Sequence, residues 1–130
     1  MKTILITGAT DGIGKALAQN YHQQGERLIL IGRRALDQLD DPLFTPDTYC
    51  QADLGQPDCA EKTLSFLNQQ NITAIDIAIQ NAGIGYYGSI AEQPTENIQN
   101  ILTVNLTAPL KLSHALYPHL KQAQGKLVFI

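Results

Sequence analysis

At 130 residues, 44% hydrophobic and 16% charged, the chain has the make-up of one soluble globular domain, burying roughly two thirds of its unfolded surface. A formal charge of −3 argues against a surface for nucleic acid or anionic membrane, and no apolar run reaches membrane-spanning length. Met1-Lys2 leads straight into an apolar run rather than a signal peptide, and Cys50 and Cys59 lack metal-type spacing, which implies reduced thiols in a cytoplasmic protein and no metal.

The first apolar run, residues 2–7, is rich in leucine and β-branched residues and reads as a buried parallel strand. It ends in Gly8, Gly12 and Gly14, behind which Ile13, Ala16, Leu17 and Tyr21 recur at helical spacing. Strand, glycine turn and helix in that order make a phosphate cradle, because a helix start offers free N–H groups and a positive dipole. Gly8 suits the tight turn, Gly12 the close approach and Gly14 the packing of helix on strand. Taken alone, the segment also fits an ordinary strand-to-helix turn with Asp11 as N-cap.

Gly25 closes that helix, and residues 27–31 form a second strand that ends in Gly32-Arg33-Arg34. A short helical piece and a loop with Pro42 and Pro46 lead to a third strand at about residues 48–52, followed by Asp53-Leu54-Gly55. Pro57 starts a helix whose expected inner face is Ala60, Leu64 and Leu67. The fourth strand, residues 74–79, ends in Gln80-Asn81-Ala82-Gly83. After a loop rich in Gly and Tyr, a long helical pattern carries the stripe Ile98, Ile101/Leu102, Asn105, Pro109, Leu112, Leu116 and Leu120. Gly125 stops it, and residues 126–130 read as a fifth strand in which the sequence ends.

Apolar runs alternating with helical patterns are the signature of βαβ units, and no repeat or linker divides them. The expectation is a single α/β domain over residues 1–130, a three-layer, doubly wound parallel sheet in the order 3-2-1-4-5, apparently truncated in strand five. Its ligand site belongs at the carboxyl ends of the strands, by the reversal between strands one and four. Arg33 and Arg34 stand where a dinucleotide-binding domain chooses its cofactor: an acid would take the ribose of NAD, whereas two guanidinium groups suit the 2′-phosphate of NADP. NADP(H) is therefore favoured over NAD(H), against the plainer reading of two solvated arginines; Asp11 weighs mildly the other way. Asn105 falls on the apolar stripe, so its amide needs a partner, and Pro109 four residues on has no N–H for its carbonyl. A local kink closed by a buried amide would explain both.

Thr7-Gly-Ala-Thr-Asp-Gly-Ile-Gly14, Asp53-Leu54, Asn81-Ala82-Gly83 and Val104-Asn105-Leu106 stand in the order and on the elements that the short-chain dehydrogenases/reductases use, and the chain resembles that family from Lys2 to Ile130. The resemblance implies an NAD(P)-binding Rossmann domain. In it Gly8, Thr10, Asp11, Gly12, Ile13 and Gly14 lie at the pyrophosphate, Asp53 and Leu54 at the adenine, and Asn81, Ala82 and Gly83 beside the cofactor. Asn105 would be the catalytic-tetrad asparagine, its carbonyl holding a water in the proton relay. It further implies hydride transfer with a small carbonyl or alcohol substrate and a homo-oligomer, dimer or tetramer. The family's Ser, Tyr and Lys follow strand five, so the 130 residues alone are expected to be inactive. Tyr117 and Lys121 fit Tyr-x-x-x-Lys but precede that strand, and Pro118 lies between them. His22, His114 and His119 show no metal spacing. A non-catalytic dinucleotide module (a redox sensor or truncated pseudoenzyme) and a nucleotide-free interaction domain remain the other classes. A bare, apolar strand-five edge is also expected, hence the expectation that the sequence is the amino-terminal part of a longer polypeptide.

Overall fold

The apolar runs pair as five parallel strands, and the computed structural model describes all residues, Met1–Ile130. These are β1 (Thr3–Thr7), β2 (Arg27–Gly32), β3 (Tyr49–Gln51), β4 (Ile77–Gln80) and β5 (Lys126–Phe129), in the order β3-β2-β1-β4-β5. Helix α1 (Gly12–Gln23) lies on one face, while α2 (Cys59–Gln69) and α4 (Ala108–Ala123) lie on the other. Alternation along each strand feeds the two layers: Ile4, Ile6, Leu28 and Leu30 join Ala18 of α1, and Leu5, Ile29, Ile31 and Ala78 join Leu67, Leu112 and Leu116. The expected order and three layers are therefore present.

Two elements are shifted from the sequence reading. Helix α2 begins at Cys59 with Asp58 as N-cap, two residues after Pro57. Its buried face is Cys59, Thr63, Phe66 and Leu67 rather than Ala60, Leu64 and Leu67. Thr63 is buried without polar cost because its hydroxyl donates to the Cys59 carbonyl at 2.9 Å. Strand β4 begins at Ile77, because the Ile75 N–H is spent on the His119 carbonyl of α4 at 3.0 Å rather than on a ladder.

The long helix is not continuous. It runs as α3 (Thr95–Leu102), a π turn over Thr103–Thr107, then α4. Pro109 has no N–H for the Asn105 carbonyl, and the Ala108 N–H reaches back five residues to Thr103. The stripe is buried only from Ala108 onward; Ile98 and Leu102 are each 48% exposed. Strand β5 is exposed along its whole length. No helix is long and apolar enough to cross a membrane.

Three helices close on the same device, in which a left-handed residue lets two successive N–H groups fold back on the last turn. After α1 the left-handed residue is Gly25, with Glu26 N–H on the Tyr21 carbonyl; after α2 it is Asn71, with Ile72 N–H on Leu67. After α4 it is Gln124, at φ 50°, with Gly125 N–H on Leu120. The stop expected at Gly125 thus falls one residue earlier. Gly125 serves close packing instead, since a Cβ there would overlap the Ile75 carbonyl oxygen. Gln124→Gly should relieve about 1 kcal/mol of left-handed strain and raise Tm by about 3–5 °C in a thermal melt.

Cys50 and Cys59 are free and buried in the α2–α4 layer. Burial, and then the neighbouring Cys59, pushes the Cys50 thiol up to about 11; burial raises Cys59 against a lowering hydrogen bond with Thr63. With both thiols buried and shifted upward, iodoacetamide at pH 8 should label neither until the chain is unfolded, as intact mass would report.

Candidate functional site

The ends of β1 and β4 are joined by side chains rather than by ladder bonds alone. The buried Thr7 hydroxyl accepts the N–H groups of Asn81 and Ala82, each at 3.0 Å. Asn81 Nδ2 returns the tie, donating to the carbonyls of Thr7 and Gly8 at 3.2 Å. Into this corner comes the start of α1. Gly8 holds φ +63°, and a Cβ on it would stand 2.9 Å from the Ala82 α-carbon. A Cβ on Gly14 would overlap the Gly8 carbonyl oxygen and reach within 2.5 Å of Asn81 Nδ2. The first bond of α1 runs from Lys15 N–H to the Asp11 carbonyl at 3.1 Å. The N–H groups of Gly12, Ile13 and Gly14 ahead of it thus have no acceptor within the helix. Asp11 occupies the N-cap, but its side chain makes no capping bond.

A cleft of about 340 Å³ opens at this corner, lined by 16 residues. Twelve belong to the expected cofactor set: Gly8, Thr10, Asp11, Gly12, Ile13, Arg33, Arg34, Asp53, Leu54, Asn81, Ala82 and Gly83. Gly14 lies beneath the lining, packed on Gly8 and Asn81. The four wall residues outside that set are Gly32, Ala52, Ile84 and Val104. Gly32 and Ala52 are the strand ends next to Arg33 and Asp53, and Val104 precedes Asn105 in its motif; Ile84 is apolar and carried no signal.

Polar groups in the cleft differ in how far they are committed. Asp53 Oδ1 accepts the Gly55 N–H at 2.8 Å, which closes a turn while the residue also lines the wall. Arg33 and Arg34 are exposed, and neither forms an ion pair; the chain's two salt bridges are Lys15–Asp41 and Lys62–Asp58. Two arginines thus line the cleft with no carboxylate in ion-pairing distance of either.

Asn105 stands apart from the lining residues. Its amide is exposed rather than turned to the sheet: Oδ1 accepts the Ile84 N–H and Nδ2 donates to the Ile84 carbonyl, both at 2.8 Å. That double bond fixes the wall residue Ile84 against the π turn, next to the wall residue Val104. Tyr117 and Lys121 lie on α4 and line no part of the cleft.

The corner depends on one hydroxyl, a role of Thr7 that its place at the end of an apolar run concealed. Thr7→Val keeps its shape but leaves two part-buried N–H groups without their acceptor, and should cost about 2 kcal/mol. Thr7→Ser keeps the acceptor and should cost about 1 kcal/mol, for one lost methyl. Urea unfolding of the two variants checks the difference.

Comparison with known proteins bears on family and fold. The family model described as short chain dehydrogenase matches residues 2–130. Serine 3-dehydrogenase of Rhizobium radiobacter is 34% identical over 129 residues, covering 97% of this chain and 51% of that protein. Among solved structures, alcohol dehydrogenase from the archaeon Thermococcus sibiricus, complexed with 5-hydroxy-NADP, superposes with a TM-score of 0.85 at 26% identity, covering 99% of this chain and 57% of the other. A short-chain dehydrogenase/reductase from Brucella ovis, in complex with partially ordered NAD, gives 0.82 at 25% identity, with 97% and 60% covered. The chain spans about half the length of the curated relative. By sequence model, fold and motif order together, the chain belongs to the short-chain dehydrogenase/reductase family.

Proposed function

We propose that residues 1–130 form the NADP(H)-binding domain of an oxidoreductase that moves hydride between the nicotinamide and a small carbonyl or alcohol substrate. One observation carries the reading: free helix-start N–H groups and two carboxylate-free guanidinium groups border one cleft. The fit of a pyrophosphate is supported by Gly12, which lines the cleft at the helix start at φ +54° with open space where a side chain would stand.

On this reading Gly8, Thr10, Gly12, Ile13 and Gly14 grip the pyrophosphate, with Asp11 at the rim. Arg33 and Arg34 take the 2′-phosphate, Asp53 and Leu54 border the adenine, and Asn81, Ala82 and Gly83 border the nicotinamide side. The dinucleotide supplies the hydride chemistry, and the protein supplies placement and proton traffic. Both amide atoms of Asn105 are committed to Ile84. Its contribution to a proton relay therefore falls to its main-chain carbonyl, which Pro109 leaves without the usual α-helical donor. These residues amount to a cofactor grip and one network residue, so binding without turnover is expected of the 130 residues alone.

The same reading makes the protein a cytoplasmic homo-oligomer acting on small molecules, with no nucleic-acid or membrane partner. Ile98, Leu102, Leu106, Leu110 and Tyr117 support the oligomer, forming a half-exposed apolar row along α3 and α4.

Titration of nicotinamide fluorescence should show NADPH bound more tightly than NADH. In the Arg33→Ala/Arg34→Ala pair that preference should fall about 10- to 100-fold, since bonds to charged groups contribute about 1.5–3 kcal/mol. An unchanged preference refutes the arginine assignment, and no binding of either nucleotide would favour an interaction domain.

A further inference from the structure

The backbone of the arginine turn is held from the neighbouring strand by two side chains. The Tyr49 hydroxyl donates to the Arg34 carbonyl at 2.6 Å, and Gln51 Nε2 donates to the Arg33 carbonyl at 3.2 Å. The donors are alternate residues of β3, so they point to the same side of the sheet edge. Tyr49 is 5% exposed, and its ring meets Phe44 edge-on with centroids 5.5 Å apart. The position of its hydroxyl is therefore set by core packing rather than by solvent. Burial, chiefly, pushes the Tyr49 phenol up to about 12, so it remains a neutral donor at any working pH.

The same hydroxyl closes the end of β2. A Cβ added at Gly32 would lie 2.8 Å from Tyr49 Oη and 2.6 Å from Thr10 Cγ2. No side chain, and so no carboxylate for a ribose hydroxyl, fits at position 32 while Tyr49 and Thr10 hold their places. What the cleft presents beyond β2 is then the arginine pair alone.

We propose that Tyr49, assisted by Gln51, is a positioning residue for cofactor choice: it fixes the Arg33–Arg34 turn and bars an acid from Gly32, and so sets selectivity for the 2′-phosphate without lining the cleft. The inference rests on the arginine reading above. It names residues that pattern reading passes over, since a tyrosine on a short strand looks like core.

The test is fluorescence titration of NADPH and NADH against the chain and three variants, Tyr49→Phe, Gln51→Met and Phe44→Leu, with the arginine pair variant alongside. Tyr49→Phe removes one oxygen and should lower the NADPH/NADH preference about 3- to 10-fold while leaving NADH affinity unchanged. Gln51→Met should move the ratio in the same direction by less. Phe44→Leu loosens the ring without removing the bond; it should lower Tm and leave the ratio alone. If the arginine pair variant shifts the preference and Tyr49→Phe does not, the positioning role falls and the arginine reading stands. If the arginine variant changes nothing, or the unaltered chain shows no preference, the arginine reading itself falls and takes this role with it. An equal shift in Phe44→Leu would also overturn the role, because ring packing rather than the hydroxyl would be responsible.

Discussion

Three backbone segments converge within contact distance at one corner: the end of β1, the start of α1 and the end of β4. Gly14 and Gly8 make the approach sterically possible, since a side chain at either would collide with main-chain atoms. The Thr7 hydroxyl and the Asn81 amide make it directional, because four hydrogen bonds cross from β4 to β1 where the ladder stops. Without that corner the helix start would not open onto the reversal point of the sheet, and the cleft would have no floor. Family, fold and candidate site all descend from this one packing constraint.

Charge in the cleft follows a simple arrangement. The chain forms two ion pairs, Lys15 with Asp41 and Lys62 with Asp58, and neither lies at the end of β2. At the end of β2 it leaves two guanidinium groups without acids while bonding their carbonyls from below. A cation left unpaired near a surface loses little, because water solvates it, and it is available to an incoming phosphate. Asp11 at the helix start and Asp53 after β3 are the acids of the lining; Asp11 makes no capping bond, and Asp53 is engaged by the Gly55 N–H.

Pro109 shapes the other wall. By withholding an N–H from the Asn105 carbonyl it favours a π turn, and that turn presents the Asn105 side chain to Ile84. α3 and α4 therefore differ in character. α4 buries Leu112, Leu116 and Leu120 against the sheet, whereas α3 leads into the turn and leaves Ile98 and Leu102 half exposed.

From sequence alone the strand order, the three layers and most of the cleft were legible, because period-two runs, helical spacing and glycine placement are local properties of the chain. The glycines at 8, 12 and 14 and the arginines at 33 and 34 announced themselves by type and position. Tertiary structure alone decided the phase of α2, where Cys59 and Thr63 are buried because Thr63 satisfies its hydroxyl within its own helix. Pro109 and Asn105 announced a local kink, which is the π turn at Thr103–Thr107, but tertiary structure decided that the Asn105 amide meets Ile84 in an exposed position, that the α4 stop moves to Gln124, and what Thr7, Tyr49 and Gln51 do. The roles of Thr7, Tyr49, Gln51 and the Asn105 amide depend on which carbonyl or N–H a side chain meets across a gap of many residues, and no periodicity along a single chain encodes that meeting.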